Sequence, residues 1–89
     1  MQYEQRLKHL DKLVADIGGA DFGVRSEGRC GLLLEHLQAA RRDLLGSMPG
    51  EYGLSLQQAE ESLSCIPDKN DRSEIKKALR TLLVDRRTT

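Results

Sequence analysis

The sequence has few aromatic residues: it holds no tryptophan, one phenylalanine and two tyrosines among its 89 residues. Strand-forming apolar residues are also scarce, with three valines and three isoleucines compared with fifteen leucines. Leucine is a good helix former, whereas valine and isoleucine favour strands. The composition therefore predicts an all-α protein. A chain of this length forms one domain, residues 1–89, with a thin hydrophobic core.

Long apolar runs are missing as well, since no aliphatic run exceeds three residues, the length reached at 32–34. A membrane-spanning helix needs about 20 mostly apolar residues, and a secretory signal has an apolar stretch of about 7–15. The sequence also begins without a basic leader. From these patterns we expect no membrane association and a cytoplasmic protein.

Neither positive nor negative charge is in excess, because 14 lysines and arginines balance 14 aspartates and glutamates. The chain as a whole therefore has no electrostatic preference for nucleic acid, an anionic membrane or an acidic substrate. Patterns typical of catalysis are missing too. His9 and His36 are expected near the surface, and no three or four ligands share a metal-binding spacing. No nucleophile, base and donor set can be assembled, so we expect no enzyme, metal or cofactor.

Two cysteines are too few for a disulfide framework, and in a reducing compartment both are expected to be thiols. Cys30 falls on the apolar stripe of a helix and is predicted to be a small buried residue. Cys65 points about 140° away from the stripe of its helix, counting 100° per residue. Its thiol is therefore expected either at the surface or under the turn at Pro67.

Apolar residues recur every three or four positions in four segments, which is the spacing of an amphipathic helix. Gly18 and Gly19 end the first segment, since glycine accepts the left-handed conformation at a helix end. Pro67 ends the third, because the residue before a proline avoids the helical region. Ser55 and Gln58 match a capping box and predict the start of that helix. The four helices predicted for this small bundle are 2–17, 26–45, 55–66 and 71–86.

The second helix has the widest apolar face and is predicted to be central, with neighbours on two sides. Arg41 lies within that face. Its guanidinium must either reach water while its stem packs, or pair with an acid such as Asp16 or Glu60. Before this helix, residues 18–28 are predicted to form a glycine-rich loop, with Phe22 either folded back onto the core or reaching a partner.

The main functional hypothesis is a non-enzymatic protein–protein interaction module that forms a homodimer or binds another protein. A thin core favours assembly, because docking two bundles buries more apolar area per residue. Helix one and the outer side of helix two are expected to provide the contact. The candidate interface residues are the apolar side chains Tyr3, Leu7, Phe22, Leu32 and Ala39.

The alternative hypothesis is a small nucleic-acid-binding regulator that uses the C-terminal helix. Residues 67–89 hold seven basic and four acidic residues, and a basic helix flank can follow a phosphate backbone. The same cations also suit the helix dipole and an ordinary solvated flank. No aromatic residues interleave with them for base stacking. The candidate nucleic-acid contacts are Lys76, Lys77, Arg80 and Arg87.

Overall fold

Leucine-rich amphipathic segments form the framework of the fold. The computed structural model describes the backbone of residues 3–88 and the side chains of residues 3–83. This part of the chain contains no strand, and the prediction of a small all-α bundle is confirmed. The elements are α1 (Tyr3–Ile17), α2 (Ala20–Arg25), α3 (Gly31–Leu45), α4 (Pro49–Glu61), a 3₁₀ segment (Ser62–Cys65) and α5 (Lys69–Thr88).

The central helix is α3, which packs against both α1 and α4, as the width of its apolar face predicts. Asp11 of α1 pairs with Arg41 of α3, and a methyl group at Gly18 would lie 3.7 Å from the side chain of Leu34. Asp11 thus lies beside a residue late in α3, whereas Gly18, which directly follows α1, lies beside a residue early in α3. The two helices therefore run antiparallel.

The core is almost entirely aliphatic and draws on α1, α3, α4 and α5 together. Complete burial of one such side chain contributes about 1.5–3 kcal/mol toward folding. α5 closes the bundle by packing against both α4 and α1. The most deeply buried aliphatic side chains are Leu10, Leu33, Leu37, Ala40, Leu56, Ala59, Ile66, Leu79 and Leu82.

The segment between α1 and α3 is not the single loop that the sequence predicts. It contains α2, whose Phe22 is buried at 4% exposure, so the segment folds back onto the core. The second predicted helix therefore begins at Gly31 rather than at Ser26. Glu27 and Gly28 have φ angles of 57° and 69°, and this left-handed pair redirects the chain between the two helices.

The predicted start of the third helix is also wrong. α4 begins at Pro49, which suits the first helical position because its missing N–H needs no acceptor there. The connection from α3 covers only residues 46–48, with Ser47 at a φ of 56°. Ser55 is not a cap but lies inside α4, where its hydroxyl donates to Asp43 Oδ2 at 3.0 Å.

The guanidinium of Arg41 reaches the surface, as one of the two alternatives predicts. There it pairs with Asp11, and both side chains are about half exposed. Neither Asp16 nor Glu60 is the partner. Glu60 instead accepts from Arg80 of α5 at 2.8 Å, and this contact ties α5 to α4.

The last helix is longer than the predicted 71–86 at both ends. Asp68 precedes it, and its Oδ1 accepts the backbone N–H of Asn70 at 2.8 Å, so the capping acid lies earlier than Asp71. Asp71 instead accepts from Arg25 Nε at 3.0 Å and links α5 to α2. This hydrogen bond raises the pKa of Arg25 above its ordinary value.

Candidate functional site

A groove of about 490 Å³ lies at one end of the bundle, where the start of α1 meets the turn between α3 and α4. Its lining includes the buried side chains of Leu44 and Tyr52, and Arg6 and Asp43 add one charge of each sign. Such a combination of apolar surface and a few polar groups suits a side chain from a protein partner. The other lining residues are Tyr3, Ser47, Met48 and Pro49.

Three large apolar side chains are half-exposed in this region: Tyr3 at 45%, Leu45 at 48% and Met48 at 40%. Arg41 of α3 contacts Asp11 of α1. Leu45 lies one helical turn after Arg41, and the partly buried Leu7 lies one turn before Asp11. Because α1 and α3 are antiparallel, Leu45 and Leu7 lie opposite each other. Tyr3, Leu7, Leu45 and Met48 are called the end surface below.

A buried polar contact fixes the helices beneath the end surface. Asp43 and Ser55 are both buried, and the serine hydroxyl donates to the carboxylate at 3.0 Å. A buried carboxylate without such a donor is strongly disfavoured, so the contact holds α3 and α4 in one relative position. The groove is therefore formed before any partner arrives.

The predicted interface residues do not share one surface. Tyr3 and Leu7 belong to the end surface. Leu32 is exposed and Ala39 is half-buried, and at 100° per residue both lie on the flank of α3 opposite Arg41. Phe22 belongs to the core and is not available at the surface.

The prediction omits two members of the end surface, Leu45 and Met48. Leu45 extends the apolar face of α3, but the sequence alone does not show that this side of the helix end is uncovered. Met48 lies in the short turn before α4 and belongs to no helical stripe. Only the antiparallel packing of α1 on α3 brings these residues next to Tyr3 and Leu7.

The basic flank proposed for nucleic acid is only partly described. Lys76 and Lys77 are exposed on α5, whereas Arg80 is ion-paired with Glu60. The side chain of Arg87 lies outside the described residues. The groove beside this flank, of about 420 Å³, also contains the carboxylate of Glu60. Nucleic-acid binding therefore stays a prediction of the sequence.

Residues able to bind a metal do not cluster in the part of the chain whose side chains are described. No group of three histidine, cysteine, aspartate or glutamate residues there has suitable geometry. His9 is exposed and His36 is half-buried, each on a different helix. The expectation of a protein without metal or cofactor stays a prediction.

The two cysteines meet at the opposite end of the α3–α4 hairpin from the groove. Cys30 is the residue before α3 and is buried, whereas Cys65 ends the 3₁₀ segment and is partly buried. Their sulfur atoms are 2.7 Å apart. Burial and the hydrogen bond to Cys30 raise the pKa of Cys65 to about 12. Cys65 is thus neither fully exposed nor fully buried, and its thiol contacts Cys30, a partner that neither predicted position includes.

The sequence matches no protein-family model, and neither the curated proteins nor the solved structures give a significant match to it. Among the described helices, none combines the length and the apolar character required to cross a membrane. Any function must therefore be inferred from the geometry of this chain.

Proposed function

We propose that the protein is a non-enzymatic helical interaction module that self-associates through the end surface. The observation that carries the proposal is the half-exposure of Tyr3 and Met48 on the lining of one preformed groove. Exposed apolar groups gathered around a concavity mark protein contact sites more often than scattered ones do. The cytoplasmic location stays a prediction of the sequence.

The occupant we propose for the groove is a second copy of this chain. In a two-fold dimer the same patch lies on both subunits, so the Met48 side chain of each copy faces the groove of the other. Methionine is unbranched and flexible, which lets it fill an irregular groove.

Net charge supports self-association over binding to a strongly charged partner. The chain carries zero formal net charge at neutral pH, so two copies do not repel each other at long range. A small domain also gains proportionally more from burying additional apolar surface than a large one does. Both arguments favour a second copy over a highly acidic or basic partner.

Light scattering after size-exclusion chromatography tests the proposal over a series of protein concentrations. The wild-type protein is expected to approach twice its monomer mass of 10.0 kDa as the concentration rises. Met48→Glu and Leu45→Glu are expected to stay monomeric, because each puts a charge into the apolar contact. Circular dichroism checks that both variants keep the helical fold.

Leu54→Glu is the matched control, because Leu54 is 54% exposed but lies on α4 away from the end surface. This variant is expected to associate as the wild type does. A wild-type protein that stays monomeric at high concentration would overturn self-association. Loss of the dimer in Leu32→Asp, with no effect of Met48→Glu, would move the interface to the other flank of α3 and contradict the end surface.

A further inference from the structure

The contact between Cys30 and Cys65 joins two elements that are far apart in the sequence. The residues are separated by 35 positions, yet their sulfur atoms lie 2.7 Å apart. A disulfide has a sulfur–sulfur bond of about 2.05 Å, so small side-chain rotations bring the two atoms within bonding distance. We propose that these residues are a redox-responsive pair that closes to an intramolecular disulfide when the protein meets a peroxide.

The surroundings of the two thiols assign them different roles. Cys65 is partly exposed, so a small oxidant reaches it first, whereas Cys30 is buried behind it. Cys65 is thus the thiol that reacts with peroxide, and Cys30 is the resolving thiol. Redox-responsive cysteines are typically accessible, low in pKa and next to a resolving cysteine. This pair has the adjacent cysteine and a partly exposed thiol, whereas its thiol pKa is raised.

The reaction balances with hydrogen peroxide as the oxidant. The sulfur of Cys65, as thiolate, attacks one peroxide oxygen, the O–O bond breaks, and the departing hydroxide takes up a proton to become water. Cys65 is then a sulfenic acid. Cys30 attacks the Cys65 sulfur, the S–O bond breaks, and a second water leaves. Two thiols lose two electrons and one peroxide gains them, and a dithiol reductant reverses the change.

Burial makes this pair slow to react under ordinary conditions. The pKa of Cys65 is raised to about 12, so very little of it is thiolate at neutral pH. Oxidation of the pair is therefore slow until peroxide is present in excess. Once formed, the disulfide closes a loop that contains α3 and α4, and it locks the hairpin at the end opposite Asp43 and Ser55.

The first test is intact-mass spectrometry of the reduced, folded protein after treatment with hydrogen peroxide. The wild-type protein is expected to lose two hydrogens and to remain a single chain on a non-reducing gel. Cys30→Ser, which lacks the resolving thiol, is expected to gain oxygen at Cys65 instead. Oxygen addition or a disulfide-linked dimer as the main wild-type product would overturn the proposal.

The second test asks whether the fold itself favours the bond. In a glutathione redox buffer, the equilibrium constant for disulfide formation is expected to be on the order of 500-fold larger in the folded protein than in urea, from the entropy of closing a loop of this length. The melting temperature of the oxidised protein is expected to rise by on the order of 15 °C. A ratio at or below one would mean that the native geometry opposes the bond and would refute the proposal.

Discussion

Substituting Ser55 by aspartate places a second carboxylate beside the buried Asp43. The wild-type hydroxyl donates to Asp43 at 3.0 Å, and neither side chain is accessible to much water. Two carboxylates about 4 Å apart repel by about 4 kcal/mol at an effective dielectric constant of about 20. The lost hydrogen bond to a charged group adds about 1.5–3 kcal/mol. The total is comparable with the whole stability of a small domain, about 5–10 kcal/mol.

Urea unfolding followed by circular dichroism measures this loss. Ser55→Asp is expected to be mostly unfolded or to lose about 5 kcal/mol, and the loss shrinks as the pH falls, because the two carboxyl groups can then share a proton. Ser55→Ala is expected to lose only about 1.5–3 kcal/mol. Ser62→Ala is the control, because its hydroxyl bonds only to the carbonyl of Gln58 at the surface, and it is expected to lose at most about 0.5 kcal/mol.

A Ser55→Asp protein as stable as the wild type would contradict the buried contact between Ser55 and Asp43. Such a result is what a helix beginning at Ser55 predicts, because aspartate caps a helix about as well as serine does. The substitution therefore separates the observed start of α4, at Pro49, from the start that the capping pattern indicates.

Three further outcomes follow from other parts of the fold. Phe22→Ala is expected to destabilise the protein by about 3–5 kcal/mol in urea unfolding, and a loss below about 0.5 kcal/mol would place the ring outside the core. Gly28→Ala is expected to lower the free energy of unfolding by about 1 kcal/mol, because the φ of Gly28 is 69°. Gly23→Ala is expected to raise it by about 0.5–1 kcal/mol, because Gly23 lies in a helix with open space around it. Equal effects would contradict the left-handed turn. Alkylation of Cys65 by iodoacetamide at about pH 8 is expected to be on the order of 10³-fold slower in the folded than in the unfolded protein, because a pKa of about 12 lowers the thiolate fraction relative to that of a thiol with the ordinary pKa of 9.0. Equal rates would contradict the burial of that thiol.

The pH dependence of stability has a definite sign at Cys65. Its folded pKa, about 12, lies above the ordinary value of 9.0, so the unfolded chain releases the proton first as the pH rises. This contribution is complete below about pH 9 and is lost as the pH rises toward 12. The wild type is therefore expected to lose more stability than Cys65→Ser over that range, measured by urea unfolding. Parallel pH profiles of the two proteins would contradict the raised pKa.

Helices with a regular apolar stripe are predictable from this sequence. The stripe from Tyr3 to Ile17 has the spacing of one helix face, and Gly18 follows it directly, so α1 is predicted almost to the residue. The width of the α3 face also predicts its central position. In both cases the burial pattern repeats within the helix itself, so local spacing carries the information.

The wrong predictions concern residues that fit two local structures, where a contact with a residue distant in sequence decides which one forms. Pro49 suggests a break, yet it is also the best first residue of a helix. Ser55 matches a cap, but Asp43, distant in sequence, binds its hydroxyl instead. Phe22 stands among glycines and gives no periodic signal, although α2 buries it.

The candidate sites depend still more on contacts between distant residues. Leu45 and Met48 join Tyr3 only through the antiparallel packing of α1 on α3, and nothing in the spacing of Cys30 and Cys65 indicates that their sulfurs meet. Such contacts require the relative placement of whole helices, which amphipathic periodicity does not specify.

Intermolecular nuclear Overhauser effects in a sample that mixes isotope-labelled and unlabelled protein test the central claim, self-association through the end surface, most directly. The account predicts cross-copy contacts between the Met48 methyl group and the Tyr3 ring, and further contacts at the methyl groups of Leu7 and Leu45. It also predicts that dilution removes them. Cross-copy contacts at Leu32 but not at Met48, or no cross-copy contacts at high concentration, would contradict it.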